Sequence, residues 1–413
     1  MAPKRLLKST IIILLASLWL MSCGTMFSDW IGSGGGTRDV KWQRLDIYEP
    51  GGTLNINQGL ESQSPKLCVN NGSLYAVWIE GNMYIYMKRF NGDYNNPYWE
   101  DMTDYGNSGM ISNPSEVAVI SYNGEIYFAY IGNGSSSIYV VRYNKDGIWE
   151  QVGENFHDSS PLSNVNLAVW ENDLYISWQE GSTIRMKKYD GGGGWLTADN
   201  SSPLGIDETG FAVHSPTLFP TDYGIYIAFL EFNGSEDRVK VRRYDHNGWH
   251  EVTDNLNYNP GSGGNAYNPS IVNYGSEVYT AWSEWNPNSG IYGVHVSDIY
   301  NYIISESSVQ GIRYSYDGNP VTEPQISVVN NRLYAMWLEQ YNSYNQLRAR
   351  VYRGYDEEWE FIDGGESYGL NISQDQDIEK FHTLSYDSKI FVIFTEHDSN
   401  NTYQYQTHVK VGR

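Results

Sequence analysis

A phrase of seven residues that recurs seven times constrains this chain more than any other feature of its sequence. The clearest copies read Leu-Tyr-Ala-Val-Trp-Ile-Glu at 74–80, Leu-Tyr-Ile-Ser-Trp-Gln-Glu at 174–180 and Leu-Tyr-Ala-Met-Trp-Leu-Glu at 333–339. The first aromatic residues of the seven copies lie 48 to 57 residues apart: Tyr75, Tyr127, Tyr175, Tyr226, Tyr279, Tyr334 and Phe391. A period near 50 residues indicates a repeat architecture in which each unit buries its apolar face against a neighbour.

Each repeat has the residues expected of four short antiparallel strands. A first strand carries proline ten residues before the aromatic in four units: Pro65, Pro216, Pro269 and Pro324. A turn rich in Asn and Gly follows, and these residues tolerate the positive φ that a hairpin requires. The core phrase is the second strand, and a basic and aromatic segment is the third. A tryptophan opens the fourth strand in five units: Trp99, Trp149, Trp195, Trp249 and Trp359. This pattern predicts an all-β fold, a seven-bladed β-propeller of four-stranded antiparallel blades.

The two ends of the chain supply parts of one blade. The seventh unit stops at its third strand, 409–413, and no fourth-strand tryptophan follows. The missing strand is found at 40–45, where Trp42 lies 23 residues before Pro65. We therefore predict a propeller domain at 40–413, closed by an N-terminal strand that completes the last blade. The fifth unit lacks its tryptophan after 291–296, which indicates an altered outer strand or an inserted loop.

The composition agrees with strands and turns, and it argues against some partners. Aromatic residues make up 15% of the chain, with 35 tyrosines and 41 glycines. The net charge is −22, and it becomes −25 once residues 1–22 are removed, since 24 basic residues then face 49 acidic ones. Such a balance argues against binding to nucleic acid or anionic lipid by general electrostatics.

Residues 1–22 have the layout of a secretory signal peptide. A basic start precedes an apolar run, 11–20, that is short for a membrane span. The following residues, Leu-Met-Ser-Cys-Gly at 20–24, resemble a bacterial lipobox. In that family the cysteine is lipidated and becomes the first mature residue. The resemblance implies a signal peptide at 1–22, and a lipidated Cys23 with a glycine-rich flexible tether at 23–39.

The same resemblance implies a location. In lipoproteins of this kind, a residue other than Asp after the cysteine, here Gly24, favours the outer membrane. The propeller would then face the periplasm or the cell surface, attached to the membrane through its N-terminal lipid. A simple signal peptide with a chance cysteine is the alternative. The only other cysteine is Cys68, so no disulfide framework is expected.

The repeats broadly resemble sialidase-like and kelch-like propellers. The turns at 144–149 and 245–249 are similar to the Asp-box of sialidases and related lectins. They lack the Ser or Thr at its start, and the paired glycines of kelch repeats are absent. The resemblance therefore implies an architecture and carries no catalytic residue with it. In outline, a membrane-anchored propeller also resembles the lipoprotein that assists outer-membrane protein assembly.

A regular set of carboxylates suggests a ligand-binding mouth. Six of the seven copies of the core phrase have a glutamate two residues after the second aromatic: Glu80, Glu180, Glu231, Glu284, Glu339 and Glu396. All six are expected at one mouth of the ring, where they could bind a cation, an amine or sugar hydroxyls. The alternative is that each accepts backbone N–H groups. Trp285 lies beside Glu284 in a Gly/Asn/Pro loop, and we predict that it also contacts the ligand.

No catalytic motif is apparent in the sequence. It contains no phosphate loop or metal-ligand spacing, so no metal or cofactor is expected. Hydrolysis by two carboxylates stays open. The sequence thus favours a lipid-anchored, monomeric binding or scaffold protein for a protein or carbohydrate ligand. The alternatives are a glycan-acting hydrolase or lyase of sialidase-like type, and an outer-membrane assembly factor.

Replacing Cys23 with alanine should prevent lipidation and release the protein from the membrane fraction, because the thiol is the acceptor that the lipobox provides. The measurement is partitioning between membrane and soluble fractions. A Cys23→Ala variant that still requires detergent for its extraction would show that the anchor lies elsewhere.

Overall fold

The computed structural model describes residues 40–413 except 105–112, 133, 158–159, 200–204, 208, 262, 301–303, 305–309, 314–317, 355–357, 365–368 and 399–403. The predicted signal peptide at 1–22 and the lipidated cysteine and tether at 23–39 lie outside the described residues. Within the described part of the chain, no helix is long and apolar enough to cross a membrane.

The described residues form seven antiparallel sheets arranged as blades. Blade 1 contains β2 (Ser62–Asn70), β3 (Ser73–Glu80), β4 (Tyr84–Phe90) and β5 (Trp99–Asp104). Blade 2 contains β6 (Glu116–Tyr122), β7 (Glu125–Gly132), β8 (Ser137–Tyr143), β9 (Trp149–Gln151) and β10 (Phe156–His157). Blade 3 contains β11 (Leu162–Trp170), β12 (Asp173–Glu180), β13 (Thr183–Tyr189) and β14 (Trp195–Thr197).

The remaining blades repeat this order. Blade 4 contains β15 (Ala212–Thr221), β16 (Gly224–Phe232), β17 (Asp237–Asp245) and β18 (Gly248–Thr253). Blade 5 contains β19 (Ala266–Tyr274), β20 (Glu277–Asn286) and β21 (Ile291–Asp298). Blade 6 contains β22 (Val321–Val329), β23 (Arg332–Tyr341), β24 (Tyr344–Tyr352) and β25 (Trp359–Phe361). Blade 7 contains β26 (Ile378–Tyr386), β27 (Lys389–Asp398), β28 (Gln404–Gly412) and the N-terminal strand β1 (Trp42–Arg44). The predicted seven-bladed propeller is confirmed.

The blades are held together by apolar clusters between neighbouring sheets. Among the described residues, six such clusters each join two adjacent blades. The second aromatic of the core phrase lies at the centre of several of them, and Trp78, Trp282 and Trp337 are fully buried. A fully buried large side chain stabilises the fold by about 1.5–3 kcal/mol. The repeated phrase therefore contributes directly to the packing between blades.

The ring is closed as predicted, by an N-terminal strand that completes the last blade. Strand β1 pairs with β28, with Trp42 opposite Gly412 and Arg44 opposite Lys410. The indole N–H of Trp42 donates to the carbonyl of Ile362 at 2.6 Å. Four other fourth-strand tryptophans also donate to a carbonyl near the end of the preceding blade: Trp99, Trp195, Trp249 and Trp359. Trp42 therefore occupies the same place in blade 7 as these residues do in theirs.

Blade 5 replaces its missing outer strand with an inserted segment. Gly311 forms a parallel bridge with Val294, and the amide of Ile312 donates to the Val294 carbonyl at 2.9 Å. Gly311 has φ +57°, and a Cβ atom there would lie 1.9 Å from the Val294 oxygen. Only glycine fits this approach. Both sequence readings of the fifth unit, an altered outer strand and an insertion, are thus partly correct.

Deleting residues 1–46 should destabilise the propeller, whereas deleting residues 1–38 should not. The longer deletion removes β1 and Leu45, which is fully buried between blades 7 and 1. It also removes Asp46, which lies 2.6 Å from His408. Losing one buried leucine alone costs about 2–5 kcal/mol, out of a typical total of about 5–15 kcal/mol. Melting temperatures of the two truncations test this, and equal values would contradict the closure by β1.

Candidate functional site

The predicted binding glutamates lie at one end of the ring, where the second strands end; we call this end the glutamate mouth. In the described structure, three of them fix the segment that leads into their own blade. Glu80 accepts the amides of Ile56 at 2.8 Å and Asn57 at 3.0 Å, and the indole N–H of Trp78 at 2.8 Å. Its side chain is fully buried. Burial raises the pKa of Glu80, and these hydrogen bonds oppose the rise.

Glu284 and Glu396 repeat this arrangement in blades 5 and 7. Glu284 accepts the amides of Tyr258 at 2.8 Å and Asn259 at 2.9 Å. Glu396 accepts the amides of Ile372 and Ser373 at 2.6 and 2.7 Å. These amides have no strand partner of their own, so a buried carboxylate satisfies them.

The other three glutamates contact cationic side chains. Glu231 accepts from Lys240 at 3.3 Å and also binds Arg238. Glu339 lies 3.2 Å from Arg313, a residue of the blade 5 insertion. Glu180 is partly exposed and lies 3.5 Å from Arg185. All six side chains thus have partners within the fold, and ligand binding by them stays a prediction.

Trp285 belongs to a row of aromatic side chains on one face of blade 5. Its ring centroid lies 4.7 Å from that of Tyr292, its cross-strand partner. Tyr292 in turn lies 6.2 Å from Tyr267. All three are half-buried, and Tyr267 directly precedes Asn268, which lines the central channel. We call Trp285, Tyr292 and Tyr267 the aromatic row; it lies at the glutamate mouth and ends beside the channel.

Polar groups lie next to the aromatic row in blade 4. His214 has the register position of Tyr267, since each residue lies just before the irregularity of its first strand. Its Nε2 lies 3.0 Å from Asp237 Oδ1, and both side chains are partly exposed. Aromatic faces with hydrogen-bonding groups close by are typical of sites for small polar ligands.

The first strands of all seven blades line a central channel with a cavity of about 790 Å³. A repeated irregularity shapes its wall. In five blades one residue of the first strand adopts positive φ, between 48° and 55°, and the pairing with the second strand slips there: Ser64, Asn164, Ser215, Asn268 and Glu323. A bulge of this kind turns side chains at and after it in a new direction.

Two rings of side chains follow from this geometry. At the bulge position the seven blades provide Ser64, Glu116, Asn164, Ser215, Asn268, Glu323 and Lys380. Two residues further along they provide Lys66, Ala118, Asn166, Thr217, Ser270, Gln325 and His382. Titratable side chains in these rings come only from blades 6, 7, 1 and 2, which are consecutive around the ring. The channel therefore has a charged side and a neutral side lined by amides and hydroxyls.

The charged side contains two carboxylates in different surroundings. Glu116 accepts the amide of Asn164 at 2.9 Å, and burial raises its pKa. Glu323 forms an ion pair with Lys380 nearer the solvent. A carboxyl group whose pKa is raised by burial can act as a general acid.

Sequence reasoning missed this asymmetric set. Lys66 directly follows Pro65, and Glu323 directly precedes Pro324, so both flank the proline already recognised in the first strand. The signal in the sequence is that the residues on either side of this proline differ in charge from one repeat to the next. A comparison that looks only for residues shared by the repeats does not detect these differences.

Comparisons with known proteins identify no family. No family model matches the sequence, and no curated protein matches it. Among solved structures, the chain is similar to the SapL1 lectin in complex with α-methyl fucoside, with a TM-score of 0.43, 16% identity and coverage of 72% of this chain and 94% of that one. It is also similar to polysaccharide lyase Uly1, with a TM-score of 0.42, 10% identity, and coverage of 72% and 89%.

A third similar structure is a subtype N11 neuraminidase-like protein of A/flat-faced bat/Peru (H18N11). Its TM-score is 0.43 at 10% identity, and the match covers 91% of this chain and 94% of that one. Likeness at this level gives no argument about what the present chain binds.

Replacing Glu80 with alanine should lower the free energy of unfolding by about 3 kcal/mol or more, because three buried donors lose their acceptor. Glu180 is the matched control, since it has the same place in blade 3 but is partly exposed. Glu180→Ala should cost less than about 1 kcal/mol. Urea denaturation of both variants measures the difference, and equal losses would contradict the larger contribution expected from the buried contacts of Glu80.

Proposed function

We propose that this protein is a lipid-anchored binding protein of the bacterial cell envelope that binds a carbohydrate at the glutamate mouth. The observation that carries the proposal is the aromatic row at the edge of the channel. Trp285 and Tyr292 are half-exposed and pack against each other across two strands with their ring planes tilted by 50°, so they offer apolar surface without loss of the core. Aromatic faces bind the C–H faces of sugars, and their polar edges remain hydrated.

The channel supports the same conclusion from its chemistry. Next to the aromatic row, its neutral side presents hydroxyl and amide groups from blades 3, 4 and 5, among them Asn268 and Ser270. Such groups both donate and accept hydrogen bonds, as sugar hydroxyls require. A concave cavity with a few fixed polar groups is the usual form of a small-ligand site.

The lipid anchor is part of the proposal and is supported by the sequence resemblance around Cys23. The glutamates act in this proposal mainly by positioning. Glu284 holds the segment at Tyr258 and Asn259, and Trp285 follows directly in the same strand. The carboxylate thereby fixes the backbone from which Trp285 projects.

A hydrolase or lyase that acts on glycans is the second candidate, and the channel carboxylates favour it. Glu116 has a raised pKa, as a general acid needs, while Glu323 is paired with Lys380. New reducing ends or unsaturated sugars would appear in incubations with glycans, and they would disappear with Glu116→Gln. Binding without any turnover would favour the binding protein.

Trp285→Ala should weaken carbohydrate binding at least about tenfold, or about 1.4 kcal/mol, and leave the melting temperature nearly unchanged. The assay is a glycan array with the detergent-solubilised full-length chain, followed by titration with the best glycan. Trp249→Ala is the structural control; it should lower stability by about 3 kcal/mol, because its indole packs on Tyr244 and bonds the Ala198 carbonyl.

Tyr223→Ala is the surface control. Tyr223 is 74% exposed in the hairpin between β15 and β16, at the end of blade 4 opposite to the glutamate mouth. It should change neither binding nor stability. Wild-type affinity in Trp285→Ala, or a glycan array without any hit, would contradict the proposed function.

A further inference from the structure

Lys66 is a channel lysine that the fold does not use. Its ammonium group has no hydrogen-bond or ion-pair partner within the described part of the chain, although it lies deep in the ring, where it lines the channel. The other channel lysine, Lys380, is paired with Glu323. Burial lowers the pKa of Lys66, while the charges of Glu116 and Glu323 oppose that change. A cationic group that lines a channel without a partner of its own is available to an anionic ligand.

His382 lies beside Lys66 at the same register position in the neighbouring blade. Its Nδ1 accepts the amide of Leu67 at 3.1 Å, so the proton of the neutral ring is on Nε2. Burial, followed by the charge of Lys66, lowers the pKa of His382 to about 3. The ring is therefore neutral at physiological pH and provides a fixed N–H donor. No described residue accepts a hydrogen bond from it.

The nearby acids are already engaged. Glu116 accepts the amide of Asn164 on the side of blade 3, and Glu323 is paired with Lys380. Two donors from adjacent blades, Lys66 Nζ and His382 Nε2–H, thus share one level of the channel without an acceptor among the described residues. A carboxylate has two oxygens and can accept from both donors at once.

We propose that Lys66 and His382 bind the carboxylate of an acidic sugar that enters the channel past the aromatic row. This inference rests on the proposed carbohydrate function and specifies its ligand class. The two donors select the charged substituent of the sugar. The cavity of about 790 Å³ is within the range of small-ligand sites.

The test compares D-glucuronate, D-glucose and acetate with the full-length protein in detergent. The readouts are calorimetric titration and the ¹⁵N resonance of His382 Nε2. Glucuronate should bind at least about tenfold more tightly than glucose or acetate, and it should shift the His382 resonance. Lys66→Met should abolish the preference for glucuronate over glucose, and Lys66→Arg should keep much of it.

Lys389→Met is the matched control, because it removes the same charge from a lysine that lies outside the channel and is paired with Asp387; it should keep the preference. Each contrary result has a distinct meaning. Equal binding of glucuronate and glucose that is lost in Trp285→Ala would overturn the anion site and leave carbohydrate binding intact. Acetate binding as tightly as glucuronate would overturn the acidic-sugar assignment. Absence of any His382 shift with all three probes would overturn the anion site, while the glycan array decides the proposed function separately.

Discussion

The structure depends on one constraint: each blade has two apolar faces, and only a neighbouring blade can cover them. Trp78, Trp282 and Trp337 are fully buried because the adjacent sheet lies over them. An open row of blades would leave two such faces in water, so the row has to close into a ring. The pairing of β1 with β28 closes it, and the glutamate mouth is formed where the closed ring brings the ends of the second strands together. The buried glutamates then satisfy the amides of the segments between blades.

Much of this architecture could be predicted because its causes are local and repeated. The core phrase specifies the second strand, the Asn-Gly turns specify the hairpins, and a tryptophan marks the outer strand. The N-terminal strand was predictable for the same reason, because Trp42 is the fourth-strand tryptophan that the seventh repeat lacks at its own end. Blade 5 could be recognised as irregular, but the parallel contact of Gly311 with Val294 has no counterpart in the other repeats and left no pattern to read.

The channel could not be predicted in the same way. Lys66 and His382 are 316 positions apart in the sequence, and they meet only because the ring brings blade 7 against blade 1. The low pKa of His382 arises from burial and from the charge of Lys66, which are properties of the assembled fold. The proposed anion site is also hard to find by comparing the repeats. The residues that line the channel differ from blade to blade, whereas the residues that pack between blades agree.

The contact between the chain ends has a consequence for the order of folding. Arg413 and Lys41 exchange two backbone hydrogen bonds, at 3.1 and 3.2 Å, across almost the whole sequence. Contacts of such large sequence separation carry a high loop-closure entropy and form late. At about 5–20 residues per second, synthesis of the chain takes on the order of 20–80 s. The first strand of the propeller thus emerges early and must remain unpaired until the last strand is made. Until then β1 has no native partner, and the apolar face that blade 1 shares with blade 7 stays uncovered.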